Sequence, residues 1–332
     1  MSALFVLLGG MLVVGAFLDA LSTTLWVDGS AGPLSLRIAK WTWRGALAVA
    51  RHRHRVLSLV GPFVLSLIVF IWVAMLWLGW TLIFSGDPLS VIHSATNTQA
   101  NWPGRVYFVG YLLFTSGLGD YVPNGAVWQL MAVLTNMTGL LLATLAITYI
   151  LSIISAVVQK RAFASQVSGL GRNAAEIVES GWNGHDLHDL DLPLSALASQ
   201  LEQISQQYRA YPVLQYYHPA RPEMSPAVAA ALFDDALTLI RFGVLSEHRP
   251  SRAVIRSARS SIESFLDTAP PANIHSSPEA PPAPDLAAVA SLGIPTLPSG
   301  RYSEDIEGLS QRRERLLGLL KNNGWGWEDT RF

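Results

Sequence analysis

The sequence contains no cysteine, which excludes disulfide bonds, thiolate metal sites and a cysteine nucleophile. Charge is also scarce: 14% of the residues are Asp, Glu, Lys or Arg, and the formal net charge is -1. Such a balance gives no reason to expect nucleic acid as a partner. The lack of cysteine is compatible with a bacterial inner membrane. Half of the residues are hydrophobic instead, and eleven are tryptophan.

The apolar residues are concentrated in the first half of the chain. Three blocks, at 4–27, 56–84 and 127–158, are long enough to cross a bilayer, which needs about 20 apolar residues. The first block has no Lys or Arg before its apolar run and is too long for a secretory signal, so we expect it to be retained. The pattern predicts an all-α membrane protein with three spans.

The basic residues predict how these spans are oriented. Six lie between the first and second blocks and three lie just after the third (Lys160, Arg161 and Arg172), whereas 85–126 contains only Arg105. We therefore expect 28–55 and the C-terminal half to be cytoplasmic, and 85–126 and the N-terminus to lie outside. The expected location is the cell membrane (an inner or plasma membrane), which the chain crosses more than once.

A half-length helix is predicted just before the third span. Asn101 can cap it and Pro103 can occupy its first turn. Residues 105–114 are mostly apolar and aromatic, and ten helical residues measure about 15 Å, half of a bilayer. Irregular backbone at membrane depth survives only where it is buried in protein or lines a water-filled cavity. The segment 101–126 is therefore interpreted as a re-entrant loop.

The residues that follow this helix favour a cation path. Gly117 and Gly119 alternate with other residues, and glycine adopts positive φ without steric cost. A backbone that alternates in hand points successive carbonyls the same way, and such a row can replace the water around an ion. Thr115 can add a hydroxyl, and the half-helix directs its negative C-terminal end to the same place. A surface turn that happens to hold two glycines is the alternative.

The hexad at 115–120, Thr-Ser-Gly-Leu-Gly-Asp, resembles the selectivity filter of potassium channels, commonly Thr-Val-Gly-Tyr-Gly-Asp. The longer run "GLGDYVP", 117–123, is most similar to the second pore loop of two-pore-domain potassium channels. The resemblance covers 56–158, and it implies an outer helix, a pore helix, a filter and an inner helix. The block at 4–27 is then an extra N-terminal span.

The resemblance also implies the site. K+ would be held by Thr115, Ser116, Gly117 and Leu118 in a filter that ends at Gly119. One pore loop per chain implies a homotetramer around a shared axis.

The support of this filter is implied in the same way. Asp120, Tyr107 and Phe108 would brace it from behind. Leu118 departs from the usual aromatic residue and lacks its hydroxyl, so a less rigid filter with weaker selectivity, or gating at the filter, is a hypothesis. Leu118→Tyr tests it through the sodium-to-potassium permeability ratio and the open probability.

The third block carries candidates for the inner helix of such a pore. Gly139 lies twenty residues after Gly119, where similar channels have a hinge, but it equally suits close helix packing. Thr144, Thr148, Ser152 and Ser155 share one helical face. We predict that Thr148 and Ser155 line the cavity; the alternative is that each hydroxyl bonds the carbonyl four residues earlier.

Two features precede the pore region. Asp19 is an ionisable residue inside an apolar span, where a charge costs free energy. We therefore expect that it has a functional role or that it lies near the cytoplasmic interface of the membrane. Residues 34–55 alternate apolar and basic at helical spacing, which suits a helix on the inner leaflet that binds anionic lipid. Simple orientation by positive charge is the other interpretation.

The remainder divides by composition. The expected domains are 1–27 (N-terminal span), 28–55 (basic linker), 56–158 (pore), 159–269 (helical cytoplasmic domain), 270–300 (proline-rich linker) and 301–332 (tail helix). The tail can dock on the body, on a partner or on the membrane. His185, Asp186, His188, Asp189 and Asp191 can bind a divalent ion or form an ordinary solvated loop.

Together these features predict a passive potassium-selective channel, not an enzyme, with no cofactor beyond the permeant ion and no nucleic acid partner. A weakly selective cation channel and a non-conducting signalling or scaffold protein with the same architecture are the alternatives. The sequence identifies neither the gating stimulus nor an effector of the cytoplasmic domain.

Overall fold

The structure is a computed structural model, and it describes residues 2–26, 31–50, 54–268 and 280–331. The chain forms two compact units. The first, here called the membrane unit, comprises Met1–Gly45, Pro62–Ile153 and Ala210–Tyr216. The second, the C-terminal unit, comprises Ala46–Gly61, Ile154–Arg209 and Tyr217–Phe332.

Three helical stretches are long and apolar enough to cross a membrane: Ala3–Leu25, His54–Ser85 and Ala126–Leu170. They confirm the three expected spans and the all-α membrane architecture. The helices up to this point are α1 (Ala3–Leu25), α2 (Pro33–Ala50), α3 (His54–Leu57), α4 (Val60–Ser85), α5 (Trp102–Leu113) and α6 (Ala126–Leu170). α6 continues for twelve residues beyond 158, where the apolar block ends. The length of an apolar block predicts a membrane span, but a helix can continue through polar residues.

A small two-stranded sheet accompanies the helices. Strand β1 (Val91–His93) pairs antiparallel with β2 (Tyr121–Pro123), with Ile92 opposite Val122. The sheet thus connects the segment before α5 to the segment after it. A three-residue strand leaves too short a pattern to be predicted from the sequence.

Asp19 of α1 holds the start of α2. Its carboxylate accepts the backbone N–H of Leu34 (2.9 Å) and of Ser35, and the indole N–H of Trp72 on α4 (2.9 Å). Asp19 is 4% exposed. The side chain therefore serves as a helix cap contributed by a different helix, and it does not lie free at an interface. The first four N–H groups of a helix lack partners within it, which is why this carboxylate is stabilising.

The C-terminal unit is helical. Its helices are α7 (Ala174–Ser180), α8 (Asp191–Ala210), α9 (Pro226–Thr238), α10 (Arg252–Thr268), α11 (Leu286–Ser291), α12 (Ser299–Glu307) and α13 (Ser310–Asn322). α9 is central, because all thirteen of its residues are buried. Ser225 caps it by accepting the N–H of Val228, as the Ser-Pro pair predicts.

Residues 280–298 are packed, although the proline-rich composition of 270–300 predicts a disordered or extended linker. The guanidinium of Arg313 donates to the carbonyl of Pro282 (2.7 Å), and the hydroxyl of Tyr302 donates to that of Pro284 (3.0 Å). Val289 and Ile294 are buried in the same core as α9. Isolated apolar residues between the prolines therefore anchor this segment. The first part of the predicted linker, 270–279, lies outside the described residues.

Two histidines and a tryptophan stack within the C-terminal unit. The His54 ring lies 4.3 Å from that of Trp325 and hydrogen-bonds His218 through Nδ1 and Nε2 (2.8 Å). Burial lowers the pKa of His218 to about 4, and His54 and Lys160 act in the same direction. His218 is therefore neutral at physiological pH, and the tail near Trp325 packs against the start of α3.

Candidate ion pathway

The candidate site begins with α5, twelve residues from Trp102 to Leu113. The side chain of Asn101 accepts the N–H of Gly104 (2.9 Å), and Pro103 occupies the first turn, as predicted. Twelve residues measure about 18 Å, too short to cross a bilayer. α5 ends at Leu113, with Phe114 as its C-cap, and the chain continues without helix to β2.

The backbone after α5 alternates in hand, but earlier than the glycines predict. Thr115 has φ 53° and Gly117 has φ 66°, whereas Gly119 has no positive φ. Positive φ costs a threonine about 1 kcal/mol, so the surrounding contacts must hold it there. The N–H groups of Thr115 and Ser116 bond the carbonyls of Leu112 (3.1 Å) and Tyr111 (2.9 Å), respectively. Residues 114–120 are exposed in the single chain.

Tyrosines of α5 hold the far end of this loop. The hydroxyl of Tyr107 donates to Asp120 Oδ2 (3.0 Å), and that of Tyr111 donates to the carbonyl of Tyr121. The N–H of Ser94, next to β1, donates to the carbonyl of Asp120 (2.9 Å). The loop 115–120 is therefore held by hydrogen bonds at both of its ends.

Phe108, the second aromatic residue expected to brace this loop, packs against α4. Its ring is fully buried and packs edge-to-face against Phe84 of α4 at 5.1 Å. Trp77 of α4 also contacts α5, by donating its indole N–H to the carbonyl of Val106 (2.9 Å). Of the two aromatic residues expected to brace the loop, Tyr107 hydrogen-bonds Asp120, and the support from Phe108 stays a prediction. Tyr111 takes part where sequence reasoning placed no role, and its spacing of four from Tyr107 is the signal that indicates a shared face.

Gly139 lies in α6 directly against the end of α5. A Cβ atom there would come within 2.6 Å of the carbonyl oxygen of Leu113. This contact supports the packing interpretation of the glycine, and α6 is a continuous helix through that position. Trp80 of α4 also reaches α6, through a hydrogen bond to the hydroxyl of Thr138 (3.0 Å). The hinge stays a prediction.

The candidate cavity residues are exposed on α6. The side chains of Thr148 and Ser155 are both accessible in the single chain. The hydroxyls of Thr144, Thr148 and Ser152 each donate to the carbonyl four residues earlier, at 2.9–3.0 Å. This bonding satisfies the donor and leaves the oxygen lone pairs available, so it is compatible with either interpretation.

The His and Asp residues of 184–191 do not gather into a metal site. Nowhere in the described ranges do three or more His, Asp or Glu residues form a group that can hold an ion. His188 Nδ1 lies 2.8 Å from Asp191 Oδ2, and Asp186 accepts the N–H of His188 (3.0 Å). The loop is therefore held by its own hydrogen bonds.

Comparison with known proteins agrees with this geometry. Residues 67–156, which contain most of α4, all of α5, the loop and most of α6, match the family model described as "Ion channel". The fold is that of an all-α membrane protein, and its residues 67–156 are similar to the ion-channel family.

The whole chain is also similar to "Uncharacterized membrane protein YdjJ" of Bacillus subtilis (strain 168). The two are 38% identical over 323 residues, which cover 97% of this chain and 95% of the relative. The chain belongs to the family of this membrane protein. No solved structure matches it.

Proposed function

We propose that four copies of this chain form a passive, potassium-selective channel in a cell membrane. K+ is coordinated by the carbonyl oxygens of Thr115, Ser116, Gly117 and Leu118. The observation that carries the proposal is the loop 115–120: it follows a half-length helix, has left-handed residues at 115 and 117, and is fastened at Asp120. It also lies inside the region that matches the ion-channel family.

The chemistry follows from the backbone. Carbonyl oxygens replace the hydration shell of a cation, and they do so without a charged side chain. The C-terminal end of α5 points its partial negative charge at the entrance of the same loop, which favours a cation there. A ring of such oxygens needs several loops, and one loop per chain requires four chains around one axis. The distribution of basic residues supports a cytoplasmic C-terminal unit.

Leu118 favours a second candidate, a channel with weaker discrimination between potassium and sodium. Its side chain is 46% exposed in the single chain, and it has no hydroxyl with which to bond α5. A change to tyrosine at this position is therefore expected to increase selectivity for potassium.

The test is ion flux from liposomes that contain the purified full-length chain. We expect barium-sensitive potassium flux with little sodium flux, and loss of this flux in Gly117→Ala. Gly125→Ala is the matched control, because Gly125 also has a positive φ, of 89°, and open space around it, but lies outside the loop. Both changes carry similar local strain.

Each result selects one function. Potassium flux that survives Gly125→Ala and is lost in Gly117→Ala supports the channel. Equal sodium and potassium flux supports the weakly selective channel. Absence of flux from folded protein contradicts both, and leaves a membrane scaffold with the architecture of a pore.

A further inference from the structure

The C-terminal unit contains a cleft of about 730 Å³ that is rich in arginine. It lies between the segment that follows α9, the first turns of α10, and α12. Its arginines are Arg241, Arg249, Arg252, Arg256 and Arg301. The volume is within the range of about 300–1,000 Å³ that is usual for small-molecule sites.

Positive charge in this cleft is not balanced. Glu247 and Asp305 are the carboxylates in its lining, so two acidic groups face five guanidinium groups. Over the ranges that the structure describes, no carboxylate lies within 4.0 Å of any of these five arginines. By contrast, Arg259, Arg312, Arg313 and Arg315 of the same unit are all in ion pairs. The carboxylates that pair with arginines in this unit therefore lie outside the cleft.

The guanidinium groups of the cleft repel one another. Partial burial lowers the pKa of Arg249, and the nearby charges of Arg241 and Arg301 lower it further, while Asp305 and Glu247 oppose this. A guanidinium group is a fixed positive charge with up to five N–H donors and no acceptor. Clustered like charges cost free energy unless an anion compensates them.

Two of the arginines are held in place. The Nε–H of Arg249 donates to the carbonyl of Val244 (2.8 Å), which leaves its terminal N–H groups directed away from that bond. The guanidinium of Arg241 lies over the ring of Phe242, 5.1 Å from its centroid, and that of Arg259 lies 5.6 Å from the same centroid. Two guanidinium groups therefore pack near this ring.

One N–H group at the start of α10 is already paired. The N–H of Ser251 donates to Asp191 Oδ1 (2.7 Å). The arginine side chains supply the charged donors of the cleft. Guanidinium groups bind phosphate oxygens through paired N–H donors, so several of them suit several phosphate groups.

We propose that this cleft binds a small anion that carries at least two phosphate groups. The chemistry is shared by a soluble polyphosphate, such as a nucleotide, and by the headgroup of a multiply phosphorylated lipid. The inference concerns binding alone, so it does not depend on whether the chain conducts ions.

The primary test measures binding of inorganic tripolyphosphate to the full-length chain in nanodiscs of neutral lipid. We expect saturable binding that weakens as salt increases. Arg241→Gln with Arg301→Gln should weaken it about tenfold or more, since each removes a charged donor. The matched control is Arg209→Gln with Arg221→Gln, which makes the same change of charge at exposed positions of the same unit outside the cleft.

Folding and the source of the phosphates need separate arms. Arg241→Lys with Arg301→Lys keeps the charge and should bind with intermediate affinity. Nanodiscs that contain phosphatidylinositol bisphosphate show the source: displacement of tripolyphosphate by this lipid indicates a headgroup, and unchanged binding indicates a soluble ligand. Absence of binding, or equal weakening by the cleft and control pairs, overturns the proposal.

Discussion

At the scale of single residues, Asp19 shows why a carboxylate can be kept inside an apolar helix. It accepts the N–H groups of Leu34 and Ser35 and the indole of Trp72, so three helices meet at one side chain. A buried acceptor with several donors is stabilising, whereas the donors left behind after its removal are costly. Asp19 therefore acts as a structural connection between α1, α2 and α4.

Replacing Asp19 by alanine should lower the free energy of unfolding by about 2–4 kcal/mol, because it leaves several buried donors unpaired. Asp19→Asn keeps one acceptor oxygen and should cost less. Thermal unfolding of the purified full-length chain in detergent measures both. Ser22→Ala is the control, since the hydroxyl of Ser22 bonds only carbonyls of its own helix, those of Leu18 (2.6 Å) and Asp19 (3.1 Å). Similar losses in all three variants would contradict a capping role.

The residues of the candidate filter were visible in the sequence to different extents. The hexad 115–120 and its position after a half-length helix could be predicted, because glycines, capping residues and apolar runs are local signals. The positive φ at Thr115 could not, because threonine rarely adopts it and only the packed loop selects it. The hydrogen bond from the Tyr111 hydroxyl to the Tyr121 carbonyl could not be predicted either, because it depends on the pairing of β2 with β1.

At the scale of whole elements, the length of the apolar runs identified α1, α4 and α6. The proline-rich composition of 270–300 did not predict that its second part is packed. Prolines there favour an extended chain, but they do not prevent packing. Tyr302 and Arg313 bond the carbonyls of this segment, which its own sequence does not indicate. The order of the segment thus depends on α12 and α13, which come later in the chain.

α13 is held to α9 by a buried charge. Arg313 is 1% exposed, donates to Asp235 and to the carbonyl of Pro282, and lies over the ring of Trp327. Arg315, two residues later, pairs with Glu263 and with Asp267 (2.7 Å) at the surface. The two arginines therefore offer a comparison between a buried and an exposed ion pair within one helix.

Arg313→Ala should lower the free energy of unfolding by about 3–5 kcal/mol, because it leaves the buried carboxylate of Asp235 without its partner. Arg315→Ala should cost no more than about 1 kcal/mol, since exposed ion pairs contribute little. Urea unfolding of the full-length chain, followed by circular dichroism, measures both variants. An equal effect of the two changes would show that α13 is not anchored through Asp235.

At the scale of the whole molecule, a single chain exposes surfaces that a membrane protein normally covers. The loop 114–120 is exposed, and α6 presents large apolar side chains along much of its length. They are Val127, Leu130, Val133, Leu134, Met137, Leu140, Leu141, Ile147, Leu151, Ile154 and Val158. Lipid can cover an apolar helix face, but a carbonyl loop at membrane depth needs protein or water beside it. In the proposed tetramer, the neighbouring chains provide this protein, and the pore between them provides the water.

The number of chains per pore can be counted by mixing. When wild-type and Gly117→Ala chains are co-expressed in equal amounts, random assembly makes about one tetramer in sixteen fully wild-type, against about one dimer in four. If a single altered loop stops conduction, potassium flux from liposomes should fall to about one sixteenth of the wild-type value.

Gly125→Ala in the same mixture should leave this flux unchanged, and the mass of the purified assembly should be four times that of the 36.1 kDa chain. A fall in proportion to the fraction of altered chains would mean that each chain acts alone. It would contradict a shared axis, because an ion held by four loops must respond to a change in any one of them.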